Sequence, residues 1–117
     1  MTTPVAPYSP IVRAGEFLIV SGQLGMAAGK MVSGGVGPET RQALANMETL
    51  LESQGATLND LVKTTVFLRH MRDFGLMNEV YAEVLGSVLP ARSTVAVVEL
   101  PLVALVEIEG WAYSPMG

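Results

Sequence analysis

The chain has 117 residues, of which half are apolar and only 15% charged, with no cysteine and a formal charge of -4. An average domain carries about 25% charged residues, so this one has more apolar surface to hide than usual. A membrane span does not account for it: the longest charge-free stretch before Glu107 runs from Phe17 to Gly29 and contains three glycines, whereas a spanning helix needs about 20 predominantly apolar residues.

In chain order, the opening from Thr2 to Pro10 holds three prolines and reads as extended without regular structure. Met1 to Pro7 show neither a basic region nor an apolar core, so no secretory signal is read and a cytoplasmic chain is expected. Ile11 to Ser21 predict a hairpin, with Ile11-Val12-Arg13 and Phe17 to Val20 as its β-rich arms and Ala14-Gly15 as its turn. Gly34, Gly35 and Gly37 form a loop. Pro38 suits a first helical position, where its missing N–H is no loss. Leu44, Met47, Leu50 and Leu51 then recur at helical spacing opposite Arg41, Glu48 and Glu52, and Gly55 stands where a left-handed cap is expected.

Leu61 to Leu68 are dense in β-branched residues and predict a strand. Asp73 suits an N-cap for a second helix striped by Phe74, Met77, Val80, Tyr81, Val84 and Leu85 and closed by Gly86. Pro90 introduces a strand from Arg92 to Val98, and Leu102 to Tyr113 make the last run. The order β-β-α-β-α-β-β predicts one α+β domain over 1–117, with two helices on one face of a mixed sheet. The open face then needs a cover, and another copy of the chain is the expected one.

Most polar residues carry a bland reading. His70 is the single histidine and reads as an exposed loop residue, so neither a histidine metal cluster nor a cofactor site is expected. The carboxylates Glu48, Glu52, Glu79 and Glu83 read as a solvated helix face. Met26, Met31, Met47, Met71 and Met77 read as packing. The absence of cysteine excludes disulfides, thiolate metal sites and a cysteine nucleophile. Seven lysines and arginines, mostly scattered singly, argue against nucleic acid, whose phosphates require clustered basic side chains.

Two residues resist the bland reading. Arg92 opens a strand, with Thr94 on the same face by the period of two. Glu107 interrupts an apolar run that otherwise predicts a buried strand, and buried carboxylates are rare unless paired or functional. The two form either a structural ion pair, the commoner outcome, or a small polar pocket in which the guanidinium grips a carboxylate with two parallel bonds.

From Pro90-Ala-Arg-Ser through Leu100-Pro101 to Glu107-Ile-Glu109, the sequence resembles the reactive intermediate deaminase family, RidA/YjgF, some members of which are called L-PSP endoribonucleases. Ala6-Pro-Tyr-Ser9, Val20-Ser-Gly-Gln23, Thr40-Arg-Gln-Ala43, Val62 to Phe67 and Asn78-Glu-Val-Tyr81 extend the likeness over nearly the whole chain, in order. The resemblance implies a chorismate-mutase-like α+β fold and a homotrimer with sites between subunits. It implies hydrolysis of enamines and imines of the 2-aminoacrylate/2-iminopropanoate type to a 2-keto acid and ammonia, without a cofactor. By the family's pattern Arg92 binds the substrate carboxylate, Glu107 holds or activates water, and Tyr8, Gly22, Asn78 and Thr94 line the pocket.

Several positions depart from that pattern. Thr94 stands where cysteine is frequent, which removes any strictly thiol-dependent role. Ala6, Pro10 and Leu102 differ from the common glycine, glutamine and lysine. Gly25 replaces a proline, so its loop is free to take another path. Val84-Leu85 lack a frequent aromatic, which leaves a roomier wall. A small keto-acid-binding trimer without catalysis, and a deaminase of a larger substrate, are the alternatives. RNA cleavage is opposed by the acidic balance.

Overall fold

The β-rich runs and the two striped segments fold into a five-stranded sheet with both helices packed on one face. The computed structural model describes residues 6 to 116; the expectations for residues 1 to 5 lie outside them. The strands are β1 (Ile11–Ala14), β2 (Phe17–Leu24), β3 (Met26–Ala27), β4 (Lys30–Met31), β5 (Leu61–Leu68), β6 (Ala91–Ala96) and β7 (Val106–Tyr113). The helices are α1 (Val36–Glu52) and α2 (Phe74–Leu85). The main sheet runs β1-β2-β7-β5-β6, with β5 and β6 parallel and the other neighbours antiparallel. The mixed sheet and its two helices are those expected.

Local chemistry sets the ends of the elements. The β1–β2 turn falls one residue later than expected, at Gly15-Glu16, because Ala14 still pairs with Phe17. Helix α1 starts two residues before Pro38, after Gly35 at a φ of 94°. Pro38 is tolerated there because the N–H groups of a first turn lack intrahelical partners. Past the C-terminus of α1, Gly55 donates to the Glu52 carbonyl and Ala56 to that of Leu51, the paired bonds that a left-handed glycine allows. Asp73 precedes α2 but does not cap it with its side chain. Gly86, at a φ of 63°, closes it.

Three differences from the expected elements matter for the site. β6 ends at Ala96, two residues short of Val98. The run from Leu102 is a strand only from Val106, because Pro101–Val103 form a short 3-10 turn. A small hairpin, β3–β4, turns through Ala28 and Gly29, both with positive φ. That conformation twists a two-residue turn to match its strands, and alternation over so few residues gave no signal of it.

The core lies between the sheet and the helices. Leu18, Val20, Val66, Leu68, Val106 and Ile108 point down from the sheet onto Leu44, Met47, Leu51, Met77 and Leu85. The alternate residues of the same strands form the other face. There Val12, Phe17, Val95, Trp111 and Tyr113 remain exposed, Trp111 by 42% and Tyr113 by 44%. Part of the apolar surplus in the composition therefore lies on one bare sheet face. No helix of the described residues is long and apolar enough to cross a membrane.

Candidate active site

Register decides which site residues can meet. On the central strand β5, Thr64 pairs with Arg92 of β6, while Phe67 pairs with Glu107 of β7. Residues an odd number apart on one strand point to opposite faces. Arg92 therefore lies on the helix face and Glu107 on the bare face, and no ion pair joins them. The structural pair, the commoner of the two outcomes expected from sequence, does not form. Nor does one protomer frame a pocket with both.

On the bare face, Glu107 is half-buried and its carboxyl lies against the backbone of Gly22. A Cβ at position 22 would overlap the Glu107 carboxyl, so a side chain there would push that carboxyl out of its present place. Tyr8, Gly22, Glu107 and Glu109 share a cavity of about 980 Å³ with Asn46, Pro101 and Leu102 among its other walls. Among the described residues no lysine or arginine lines it. Burial first, and the neighbouring Glu109 second, raise the Glu107 carboxyl above its ordinary pKa. A carboxyl so shifted exchanges protons nearer neutral pH than a solvated one.

On the helix face, Arg92 is held by two aromatic rings. Its guanidinium carbon stands 4.9 Å from the Tyr81 ring centre and 5.7 Å from that of Phe74. The Tyr81 hydroxyl is fixed in turn by Thr64, 2.7 Å away in the core. Among the described residues no carboxylate pairs with Arg92. Its planar fork is thus oriented by ring faces and its N–H groups are left to a ligand. Thr94 follows on the same face of β6, and Asn78 lies one helical turn before Tyr81. The Thr94 hydroxyl and the Asn78 carbonyl oxygen are buried without a partner.

Six sequence-derived residues thus fall into two sets, Tyr8 with Gly22 and Glu107, and Asn78 with Arg92 and Thr94. Sequence reasoning missed Glu109, although it shares a face with Glu107 two residues away. It also assigned Phe74 and Tyr81 only to packing, since an aromatic stripe does not disclose that its edge meets an arginine. Half-buried His70 starts the turn before α2. Among the described residues no cluster of acidic and histidine side chains is placed to hold a metal ion.

A protein-family model described as endoribonuclease L-PSP matches residues 1–114. The chain belongs to that family. A RutC family protein of Pyrococcus horikoshii is 46% identical over 113 residues, covering 95% of this chain and 90% of the relative. A protein of Dermatophagoides farinae named 2-iminobutanoate/2-iminopropanoate deaminase is 44% identical over 108 residues, covering 91% and 84%. Escherichia coli TdcF, solved with bound serine, superposes with a TM-score of 0.89 at 30% identity, covering 94% of this chain and 90% of that one. The resemblance read from Pro90 to Glu109 is borne out, and with it the fold of the L-PSP family.

Proposed function

We propose that this L-PSP chain hydrolyses 2-imino acids and their enamine tautomers to 2-keto acids and ammonia, in a site completed by a second copy. The observation that carries this reading is the unpaired Arg92 fork, set on two rings and separated by the sheet from a half-buried Glu107. A guanidinium free of protein carboxylates is a ready grip for a substrate carboxylate. The name of the Dermatophagoides farinae relative supports imine deamination, and the amino acid on the Escherichia coli neighbour supports a ligand of carboxylate and nitrogen.

In this reading Arg92 fixes the carboxylate, and Glu107 accepts a proton from water as the water oxygen adds to the C=N carbon. Glu107 returns that proton to the nitrogen to give the carbinolamine, then takes the hydroxyl proton as the C=O bond forms and the C–N bond breaks, and passes it to the nitrogen that leaves as ammonia. The carbon keeps the water oxygen as its ketone. Thr94 and Asn78 offer their unpartnered oxygens beside the carboxylate grip, while Tyr8 and Gly22 shape the wall around Glu107. Imines of this kind react with water unaided, so positioning and one proton carrier suffice.

The two sets join only if a neighbouring copy brings its Glu107 beside Arg92, and the bare apolar face supports a trimer as the assembly. Release of pyruvate and ammonia from enzymatically generated 2-aminoacrylate tests the reading. The wild type is expected to exceed the buffer rate, with Arg92→Ala and Glu107→Gln both falling by at least about a hundredfold. Equal rates for wild type and buffer would overturn catalysis. Keto-acid binding that survives Glu107→Gln without any turnover would establish a binding module instead.

A further inference from the structure

Glu39 is a buried carboxylate that the proposed chemistry does not use. It sits in the first turn of α1 and is only 4% exposed. Its Oε1 accepts a hydrogen bond of 2.8 Å from the Leu105 backbone N–H, 66 residues away. Leu105 ends the strap, residues 101 to 105, that leads into β7. Leu102 and Val103 in this strap both adopt a φ of 57°, a left-handed conformation that a side chain, and a β-branched one above all, resists. Such backbone persists only where its surroundings hold it.

Few contacts hold it. Val103 is 90% exposed, whereas Ala104 is buried. Ala104 donates to the Pro101 carbonyl, Arg69 donates to that of Leu105, and Glu39 receives the Leu105 amide. Pro101 and Leu102 form a wall of the cavity that contains Glu107. Leu24 and Met26, which line the same cavity, also rest on α1. Asn46, two turns after Glu39 on the same helix face, donates to the carbonyls of Leu24 and Met26. Between those residues Gly25 lies flat against the Glu39 backbone, where a Cβ would stand 2.5 Å from the Glu39 Cα. The glycine that departs from the family's proline is thus required by this close approach.

We infer that Glu39 is a positioning residue that clasps the 101–105 strap and so sets the width of the substrate pocket beside Glu107. The inference rests on the proposed imine chemistry for its kinetic consequence and not for the clasp. Glu39→Gln keeps an acceptor oxygen at full reach, whereas Glu39→Asp keeps the charge but withdraws it by one methylene. Glu39→Ala removes both.

Amide hydrogen exchange and steady-state kinetics on the intact protein separate these. In Glu39→Asp and Glu39→Ala, exchange at residues 102 to 105 is expected to accelerate about tenfold, as the loss of a buried hydrogen bond implies. Amides of β5 and β7 are expected to remain protected. KM for the imine is expected to rise by about the same factor while kcat changes less than about twofold. Glu39→Gln is expected to match wild type in both readouts. Wild-type exchange in the aspartate variant, or a glutamine variant as loose as alanine, would overturn the clasp. Loosened exchange with unaltered KM would overturn its role in the pocket. Absence of imine turnover in the wild type, with the strap still loosened by aspartate, would overturn the imine reading and leave the clasp intact.

Discussion

Glu107 and Glu109 stand two residues apart on β7 and share a cavity in which, among the described residues, no basic side chain forms a wall. Ionising Glu107 is therefore harder in the folded chain than in the unfolded one, through burial first and Glu109 second. Below the ordinary glutamate range both states hold the proton and the difference carries no cost. As pH rises, the unfolded chain gives up its proton first, so stability falls until the raised folded pKa is passed. At neutral pH the wild type thus carries a cost from Glu107 that is absent where both states hold the proton. Glu107→Gln is expected to unfold at higher urea than wild type at neutral pH when the protein is dilute enough for the chains to be single, so that no partner Arg92 faces the carboxyl. The gap should close at a pH acidic enough to protonate the carboxyl in both states. A gap of the same size at both pH values would trace it to packing instead of charge. The same variant is expected to lose imine turnover, so stability and activity move in opposite directions.

At the scale of elements, β5 was legible residue for residue, because Leu61 to Leu68 combine β-branched chemistry with clear ends. Helix α1 was legible from its stripe and from Gly55, while its start was not. Gly35 and Val36 carry no side-chain cap that would have marked it. Residues 102 to 105 were read as strand because Leu102 and Val103 are apolar. The strap is anchored at Leu105 by Glu39 and Arg69, distant residues that no local pattern reveals. Helix α2 shows how a stripe can serve both packing and site. Met77 and Leu85 fill the core, while Tyr81 packs its ring under Arg92 and bonds its hydroxyl to Thr64 of β5. That bond ties α2 to the strand beside the clamp. Tyr81→Phe leaves the ring but strands the Thr64 hydroxyl in the core, and a loss of about 1–3 kcal/mol in urea unfolding is expected. Thr64→Val in the same chain should recover much of it, since no buried group is then left unpaired. A double variant as unstable as the sum of the singles would show that the two hydroxyls are not coupled.

At the scale of the whole molecule, the two sets of site residues are kept apart by the sheet itself. The sequence singled out Arg92 and Glu107 as unusual, yet their relation depends on a strand register three residues out of step, which places them on opposite faces. No side-chain rotation brings them together through a packed sheet. If both serve one reaction, each site takes Arg92 from one copy and Glu107 from another, and a closed ring of identical interfaces repeats that pairing at every junction. Two inactive variants then contain the parts of an active one. Arg92→Ala and Glu107→Gln protomers, unfolded together and refolded in equal amounts, are expected to regain activity. With random mixing a junction receives an intact Arg92 and an intact Glu107 about one time in four, so recovery should approach a quarter of the wild-type rate. Each variant refolded alone remains inactive. A mixture no more active than its components, with mixed assemblies verified by mass, would place both residues' work within a single copy, which the register forbids, or deny that they share a site at all.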